Sequence, residues 1–274
     1  MAISGENLKL GVIGIGKMGG IIVRSVVNNL LSPQQISIVD LDQELVSQLC
    51  NDTGVTAVSN IQELVNTSDY ILCAVPPIGI PHILPQISQC ITEKQWLISI
   101  AAGVSTPTLE AYFTSPPPIV RVMPNIAASV GAAVSVLSRG VAANEEHLSQ
   151  AQKIFDCCGI TLIMEEHHIN AVTGVSGSGP AYVALFIEAL ADAGVQVGLS
   201  RKDAQTLAIH TVFGTASIMK ESNEHPANLK NRVTTPGGTT AAGLHALEKG
   251  GLRSTIADAI LSATKRAKEL DSSN

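Results

Sequence analysis

The stretch Leu8-Lys9-Leu10-Gly11-Val12-Ile13-Gly14-Ile15-Gly16-Lys17-Met18-Gly19 decides the fold. A short apolar run leads directly into the pattern G-x-G-x-x-G, and a helix-like segment continues to Leu30. In this arrangement Gly14 makes a tight turn, Gly16 lets a pyrophosphate approach the backbone, and Gly19 lets the helix pack on the strand. The stretch therefore predicts a dinucleotide-binding domain, with Lys17 and Met18 beside the phosphates.

Asp40 comes directly after the next apolar run, Ile36-Ser37-Ile38-Val39. It stands at about the distance at which an acid holds the adenosine ribose hydroxyls of a bound dinucleotide. Asp42 is close by and no lysine or arginine is near, so a ribose phosphate would meet carboxylates. These charges favour NADH over NADPH, although Asp40 could also be a solvated strand end.

Short apolar runs alternate with more polar helical segments from residue 8 to about 165, which is typical of a parallel sheet covered on both faces. The expected strands are Leu8–Ile13, Ile36–Val39, Thr56–Val58, Tyr70–Val75, Leu97–Ala101 and Ile119–Val122, with 132–137 and 161–164 as further candidates. Thr106 before Pro107, and Asn144 before two glutamates, are typical helix starts. We therefore expect an α/β chain: a Rossmann-type doubly wound sheet in residues 1–165, then an all-α dimerisation and substrate domain in 166–274.

The second half is helical, and its segment from Ala181 to Val197 is apolar around most of its circumference. Such a helix must be buried on most sides. Ser200 with Asp203 is a capping-box pattern that opens the next helix. The half is too short to cover the apolar helix alone, so we expect a second subunit to complete its core.

A loop rich in glycine and hydroxyl groups precedes a late helix: Thr234-Thr235-Pro236-Gly237-Gly238-Thr239-Thr240. Glycine backbones approach a ligand closely, and a helix start offers unpaired N–H donors that suit a carboxylate. A hydroxyl of Thr239 or Thr240 is then free for the reacting end of a ligand. Taken alone, the loop could equally be an ordinary turn with a helix cap.

Other candidate ligand-binding residues lie just after predicted strands, where parallel sheets bind their ligands. Ala74, Val75 and Pro76 come after one strand, and Asn125 after another, where it could bond the cofactor or stabilise a turn. Ser176 lies in a serine- and glycine-rich segment that opens the apolar helix, a place for a ligand or for a tight bend.

Composition excludes several classes of protein. With 274 residues, 45% of them hydrophobic and 15% charged, the chain is expected to be compact and to have real cores. A net charge of −6 without a basic block argues against nucleic acid as a partner. The five cysteines form no C-x-x-C pair, and neither a leader nor a long uncharged apolar stretch is found, so we expect a cytoplasmic protein.

Two clusters invite chemical interpretations that their spacing does not favour. Residues 165–168 read Glu-Glu-His-His, but adjacent side chains rarely converge on one ion and the H-E-x-x-H spacing is absent. We therefore expect no metal site and interpret these four residues as a polar domain junction. Cys157 and Cys158 are expected to pack in the interior instead of forming a redox pair.

Taken together, the motifs make the chain similar to the pyrroline-5-carboxylate reductases, over nearly its whole length. The motifs are G-x-G-x-M-G at 14–19, R-V-M-P-N at 121–125, S-G-S-G-P-A-Y at 176–182, D-A-G-V at 192–195, P-G-G-T-T at 236–240 and E-x-G-G-L-R-S at 248–254. The resemblance implies reduction of 1-pyrroline-5-carboxylate to proline with NADH or NADPH. It also implies a homodimer through interlocking helices, with larger rings up to a decamer of five dimers.

The resemblance assigns roles to the P-G-G-T-T loop. Amides of Gly237, Gly238 and Thr239 would hold the substrate carboxylate, and the hydroxyl of Thr240 would meet the ring nitrogen. Ser176 would belong to the substrate site. The cofactor would meet the glycine loop, Asp40, Ala74 to Pro76, and Asn125.

Two departures from the family concern the cofactor site: Pro76 stands where A-V-K-P is common, and Asp40 where NADPH-preferring relatives often have a neutral or basic residue. Two alternatives stay open. A related reductase of β-hydroxy acids would use a lysine on its interdomain helix, and Val172 to Leu190 contains none. The other is a nucleotide-binding dimer without turnover, for which the P-G-G-T-T loop has no evident use.

Overall fold

The structure is a computed structural model that describes residues 8–272, and its first part is an eight-stranded sheet. The strands are β1 (Leu10–Ile13), β2 (Ile36–Val39), β3 (Thr56–Ala57), β4 (Tyr70–Cys73), β5 (Trp96–Ser99), β6 (Ile119–Met123), β7 (Ala133–Arg139) and β8 (Gly159–Ile163). Their order across the sheet is β3-β2-β1-β4-β5-β6-β7-β8. The order reverses between β1 and β4, which is the switch point at which such sheets bind ligands.

The first six strands are parallel, as the alternating pattern predicts, but β7 runs antiparallel to β6 with Val122 opposite Leu137. β8 is parallel to β7 and so also runs against the first six strands. The parallel direction expected for the run at 132–137 is wrong, because an apolar run fixes burial and not direction.

Both faces of the sheet carry a buried apolar layer, which makes the fold doubly wound as expected. Leu72 and Ile98 belong to the layer on one face, while Ile71 and Leu97 belong to the layer on the other. All four side chains are fully buried.

The helices fill the intervals between strands and then the remainder of the chain. They are α1 (Lys17–Asn29), α2 (Gln43–Thr53), α3 (Ile61–Thr67), α4 (Ile80–Ser88), α5 (Thr106–Glu110), α6 (Glu145–Asp156), α7 (Ile169–Val172), α8 (Gly179–Gln196), α9 (Arg201–Ser222), α10 (Pro226–Arg232), α11 (Thr239–Lys249) and α12 (Leu252–Ser272). A π-helical turn, Thr173–Gly177, joins α7 to α8.

The caps agree with the sequence signals apart from one shift. Asn144 and Ser200 cap α6 and α9 with their side chains, as predicted. At α5 the cap is Ser105, whose Oγ accepts from the amide of Thr108, so the expected cap at Thr106 is one residue too late.

The chain forms two compact units, residues 8–178 with 262–272, and residues 179–261. The sheet ends at Ile163, close to the expected boundary at 165/166, while the first unit continues through α7 and the π-turn. None of the helices in the described part of the chain is long and apolar enough to cross a membrane.

The helical unit leaves large apolar side chains uncovered. In α8, Leu185 is 65% exposed and Phe186 42%, and in α9 Phe213 is 67% exposed. The buried cluster between these two helices consists, among the described residues, of the small side chains Ala191, Ala204 and Ala208. A face of this kind on both helices is what a second subunit would cover.

Candidate nucleotide and substrate sites

The glycine loop has the geometry of a phosphate-binding turn. Gly14 has φ +88°, and a Cβ there would lie 2.9 Å from the carbonyl oxygen of Ala74. A Cβ on Gly19 would lie 2.1 Å from the carbonyl oxygen of Gly14, so α1 approaches β1 as closely as it does because Gly19 has none. A Cβ on Gly16 would meet no atom of the described chain within 4 Å, so this backbone faces open space. The cradle thus fits a pyrophosphate.

Asp40 is held against this loop by its own carboxylate. Its Oδ2 accepts from the amide of Ile15 at 2.6 Å, and its Oδ1 accepts from the amide of Asp42 at 3.0 Å. The negative charge is therefore fixed beside the phosphate-binding turn. A solvated strand end would not require either bond.

A cavity of about 940 Å³ opens at the carboxyl ends of β1, β2 and β4, where the switch point lies. Its wall includes eight of the ten residues predicted to bind cofactor: Gly14, Gly16, Lys17, Met18, Asp40, Ala74, Val75 and Pro76. The other two, Gly19 and Asn125, are not on this wall. Gly19 packs inside the β1–α1 turn, and Asn125 bonds to a different segment.

Sequence reasoning missed one side of the cavity. Ser59 and Asn60 line it just after β3, and His82 and Gln86 line it from α4. Ser59 and Asn60 follow the strand predicted at 56–58, so their place directly after a strand was the available signal. The i, i+4 spacing of His82 and Gln86 on α4 was the available signal.

Asn125 and Ser176 form one cluster, although 51 residues separate them. Asn125 Oδ1 accepts from the amide of Ala127 at 3.2 Å, which leaves Nδ2 to donate to Ser176 Oγ at 3.1 Å. Met123 packs beside them, since its Cε would lie 2.6 Å from a Cβ on Gly177. The end of β6 and the π-turn are therefore in direct contact.

A partly buried ion pair lies further back along the same strand. Arg121 Nη1 donates to Glu166 Oε1 at 2.6 Å, and the arginine side chain is 2% exposed. The same carboxylate oxygen accepts from the amide of Thr106 at 3.1 Å. Glu166, which sequence reasoning placed in a polar junction, thus pairs with an arginine inside the fold.

The P-G-G-T-T loop has the local geometry that an anion site needs. Gly237 has φ +67°, and a Cβ on Gly238 would lie 2.3 Å from Thr235 Oγ1. α11 begins at Thr239, directly after Gly238, which has no side chain to cap it. α1 and α4 likewise begin after a glycine with no side-chain cap, whereas side chains cap α2, α3, α5, α6, α9 and α10. The first amides of α1 and α11 stay available to a ligand.

The cysteines carry no sign of redox chemistry. All five thiols are free. Burial raises the pKa of the Cys73 thiol to about 12 and that of Cys157 to about 11. Since the thiolate is the reactive form, these groups are inert at neutral pH and act as packing.

Comparisons with known proteins give matches to both the first and the second part of the chain. The family model described as pyrroline-5-carboxylate reductase dimerisation matches residues 166–270, and that described as NADP oxidoreductase coenzyme F420-dependent matches 9–103. Pyrroline-5-carboxylate reductases of Methanosarcina acetivorans and Arabidopsis thaliana are each 39% identical, over 97% and 100% of this chain and 98% and 99% of theirs.

Solved structures of pyrroline carboxylate reductases are also similar to this chain over nearly its whole length. A Plasmodium falciparum pyrroline carboxylate reductase with NADP bound has a TM-score of 0.87 at 33% identity, covering 97% of this chain and 99% of that one. A pyrroline-5-carboxylate reductase of Coxiella burnetii has a TM-score of 0.92 at 31% identity, with the same coverage.

The glycine cradle, the switch-point cavity and the helical unit define the class: a two-domain NAD(P)H-dependent oxidoreductase. Within that class, the chain belongs to the pyrroline-5-carboxylate reductase family.

Proposed function

We propose that the chain reduces 1-pyrroline-5-carboxylate to L-proline, the final step of proline biosynthesis. The observation that carries the proposal is the glycine start of α11, with amides available for a carboxylate and two hydroxyls in its first turn. Full-length similarity to named pyrroline-5-carboxylate reductases supports it. A hydroxy-acid reductase is less well supported, since the helical segment from Val172 to Leu190 offers no lysine as acid-base group.

The residues have distinct tasks in this proposal. When bound, the reduced nicotinamide supplies the hydride that the imine carbon accepts. Amides of Gly237, Gly238 and Thr239 hold the substrate carboxylate, and Ser176 contributes to the substrate site. The Gly238 amide donates to the carbonyl of Thr235 at 3.0 Å in this structure, so it exchanges that bond for the carboxylate when substrate binds. Thr240 orients the imine through a hydrogen bond at the ring nitrogen and relays the proton of that nitrogen, which makes it the catalytic residue. Because a protonated imine is already electrophilic, positioning supplies most of the acceleration.

A simple assay tests the activity. Oxidation of NADH and of NADPH is followed by absorbance with pyrroline-5-carboxylate as substrate. Reduction of NAD is followed in the same way with hydroxy acids as substrates. We expect oxidation with the imine. Reduction of NAD by a hydroxy acid would select the alternative reductase, and no turnover would select the non-catalytic dimer.

Thr240→Val tests the catalytic assignment. Losing one positioned donor should lower kcat by about ten- to a thousandfold. Thr67→Val is the matched control, because Thr67 is an exposed threonine whose hydroxyl bonds its own helix. Equal kcat values for the two variants would contradict the assignment.

We further propose that the enzyme prefers NADH. The Asp40 carboxylate lines the cavity and is fixed by the amides of Ile15 and Asp42. A phosphate on the adenosine ribose, with a charge of about −2, would meet it at close range. The Plasmodium falciparum relative was solved with NADP bound, so the preference is proposed as a property of this chain.

The ratio of kcat/KM for the two cofactors tests this preference. Asp40→Ser should shift the ratio towards NADPH by at least about tenfold, which corresponds to about 1.4 kcal/mol. Glu44→Gln is the control, because Glu44 is an exposed carboxylate of α2 that is not on the cavity wall. A wild-type preference for NADPH would contradict the proposal.

The dimerisation match and the apolar faces of α8 and α9 indicate a homo-oligomer. As finer proposals, the unit is a homodimer that assembles five times into a decamer, and the enzyme works in the cytoplasm. The roles of Gly14, Gly16, Lys17, Met18, Gly19, Ala74, Val75, Pro76 and Asn125 at the cofactor are likewise proposals. Sedimentation velocity of the purified protein would distinguish a dimer from a decamer.

A further inference from the structure

Strand β6 and the loop directly after it contact residues 166–177 at two separate points. This segment begins with the 3₁₀ turn Glu166–His168 and continues through α7 and the π-turn. Arg121 pairs with Glu166 at 2.6 Å, and Asn125 Nδ2 donates to Ser176 Oγ at 3.1 Å. Four residues of strand span about 13 Å, and ten residues of helix rise about 15 Å. The two segments therefore run side by side in the same direction, and their contacts stay in register.

The π-turn adjusts the rotation of this helical segment. The amide of Ser178 donates to the carbonyl of Thr173 at 2.9 Å, which is one residue further than in an α-helix. One extra residue in a turn rotates the subsequent residues by about 100° relative to a regular helix. π-turns of this kind are frequent at functional sites. Here the turn carries Ser176 and Gly177 to Asn125 and Met123.

The hydrogen bonds also orient the hydroxyl of Ser176. Because Asn125 Oδ1 already accepts from Ala127, the amide must present Nδ2 to the serine. Ser176 Oγ is then the acceptor of that bond, and its own proton is left to donate elsewhere. Ser176 is thus prepared to donate a hydrogen bond to an acceptor atom of a ligand.

The ion pair is more costly than structural support alone would require. Arg121 is 2% exposed and Glu166 25%, and among the described atoms neither Arg121 Nη2 nor Glu166 Oε2 has a hydrogen-bond partner. Apolar residues often replace such a pair with no loss of stability. A hydrogen-bonded ion pair forms in one geometry, so it can fix the start of the helical segment relative to β6. An apolar pair would not fix that position in the same way, which is a reason for these residues to be charged.

We propose that Arg121 and Glu166 are positioning residues: together with Asn125 they hold the π-turn so that the Ser176 hydroxyl donates to the bound imino acid or to the carboxamide of the nicotinamide. This inference rests on the proposed function. It assigns the ion pair an effect on turnover that is transmitted through Ser176 alone.

A double-mutant cycle tests this transmission. Glu166→Gln keeps an acceptor for Thr106 but removes the charge, and it should lower kcat about 30-fold in the wild-type background, with the Kd for NADH unchanged within about twofold. In a Ser176→Ala background the same change should lower kcat less than about threefold. Glu145→Gln, at the exposed Arg139–Glu145 pair, is the matched control and should leave kcat unchanged. Additive losses would overturn the proposal.

A second variant guards against simple destabilisation. Arg121→Met with Glu166→Leu removes both charges and should keep the melting temperature within a few degrees of the wild type. The proposal expects kcat to stay low in this stable protein. Recovery of kcat to the wild-type value would show that the pair has a structural role alone.

Hydrogen exchange separates failure of this inference from failure of the proposed function. In Glu166→Gln the amide of Ser178 should exchange at least about tenfold faster, while amides of β1 keep their rates. If the wild type lacks activity with the imine, the proposed function fails and this exchange still tests the positioning. Unchanged exchange at 173–178 would overturn it.

Discussion

The sheet unit and the helical unit bury their apolar residues differently. In the sheet, Leu72, Ile71 and Leu97 are fully covered by helices of the same chain. In the helical unit, Leu185 and Phe213 are more than half exposed, and small alanines form the buried contact between α8 and α9. A single chain therefore contains enough apolar partners for its first unit and too few for its second.

This difference shows that the two units depend on different things for stability. We expect the first to depend on its own packing, and the second to depend on a neighbour and hence on protein concentration. A change confined to one unit should therefore leave the stability of the other unaltered.

Phe213→Asp should have the largest effect, because it places a charge on a face that we expect a second subunit to cover. Dimer affinity should fall by more than about a hundredfold, and activity should fall with it. Sedimentation velocity measures the loss. Val141→Asp is the control, since Val141 is 93% exposed on the sheet unit, and a monomer in that variant would contradict the comparison.

Leu72→Ala should destabilise the sheet unit by about 2 to 5 kcal/mol, because it leaves a cavity in a fully buried layer. Denaturant unfolding measures the change. The dimer dissociation constant should stay at its wild-type value, and a shift in that constant comparable to the loss of stability would mean that the units are not independent.

Dilution should affect the two units unequally. Each tenfold dilution near the dissociation constant should lower the stability of residues 179–261 by about 1.4 kcal/mol and leave residues 8–178 unchanged. Hydrogen exchange at two protein concentrations gives the regional readout. Equal acceleration in both units would break the comparison.

High pH should weaken the sheet unit slightly through Cys73. Burial raises the pKa of this thiol from 9.0 to about 12, so the unfolded chain loses the proton first. The contribution is fully present below pH 9 and is lost as pH rises towards 12, with a loss of about 1.4 kcal/mol at pH 10. Cys73→Ala should flatten the unfolding free energy between pH 8 and 10, and an unchanged slope would contradict this.

Much of the sheet could be predicted from the sequence, because each strand carries a local signal. All eight apolar runs are strands, with ends shifted by a few residues, and Asn144 and Ser200 cap the helices that they were expected to cap. The apolar surplus of 181–197 correctly predicted an uncovered helix face, since burial depends on composition more than on geometry.

Features that depend on distant residues could not be predicted. The direction of β7 is set by its pairing with β6, and nothing in 132–137 encodes that partner. The pairing of Arg121 with Glu166 joins residues 45 apart, so Glu166 appeared to be part of a polar junction. The contact of Asn125 with Ser176 depends on the π-turn, for which no simple sequence pattern exists.

The reversal of β7 determines the route by which the chain returns to the ligand-binding edge of the sheet. Because β8 runs in the same direction, Ile163 lies level with Leu137, and Leu137 lies level with Val122 in the body of β6. From the level of Val122 the chain turns and runs alongside β6 towards the ligand-binding edge of the sheet, where it reaches Asn125. If the last strand ran in the direction of β1 to β6, the chain would leave the sheet at the ligand-binding edge and could not form this ascending helix, so the reversed direction of the last strand is a constraint on the architecture.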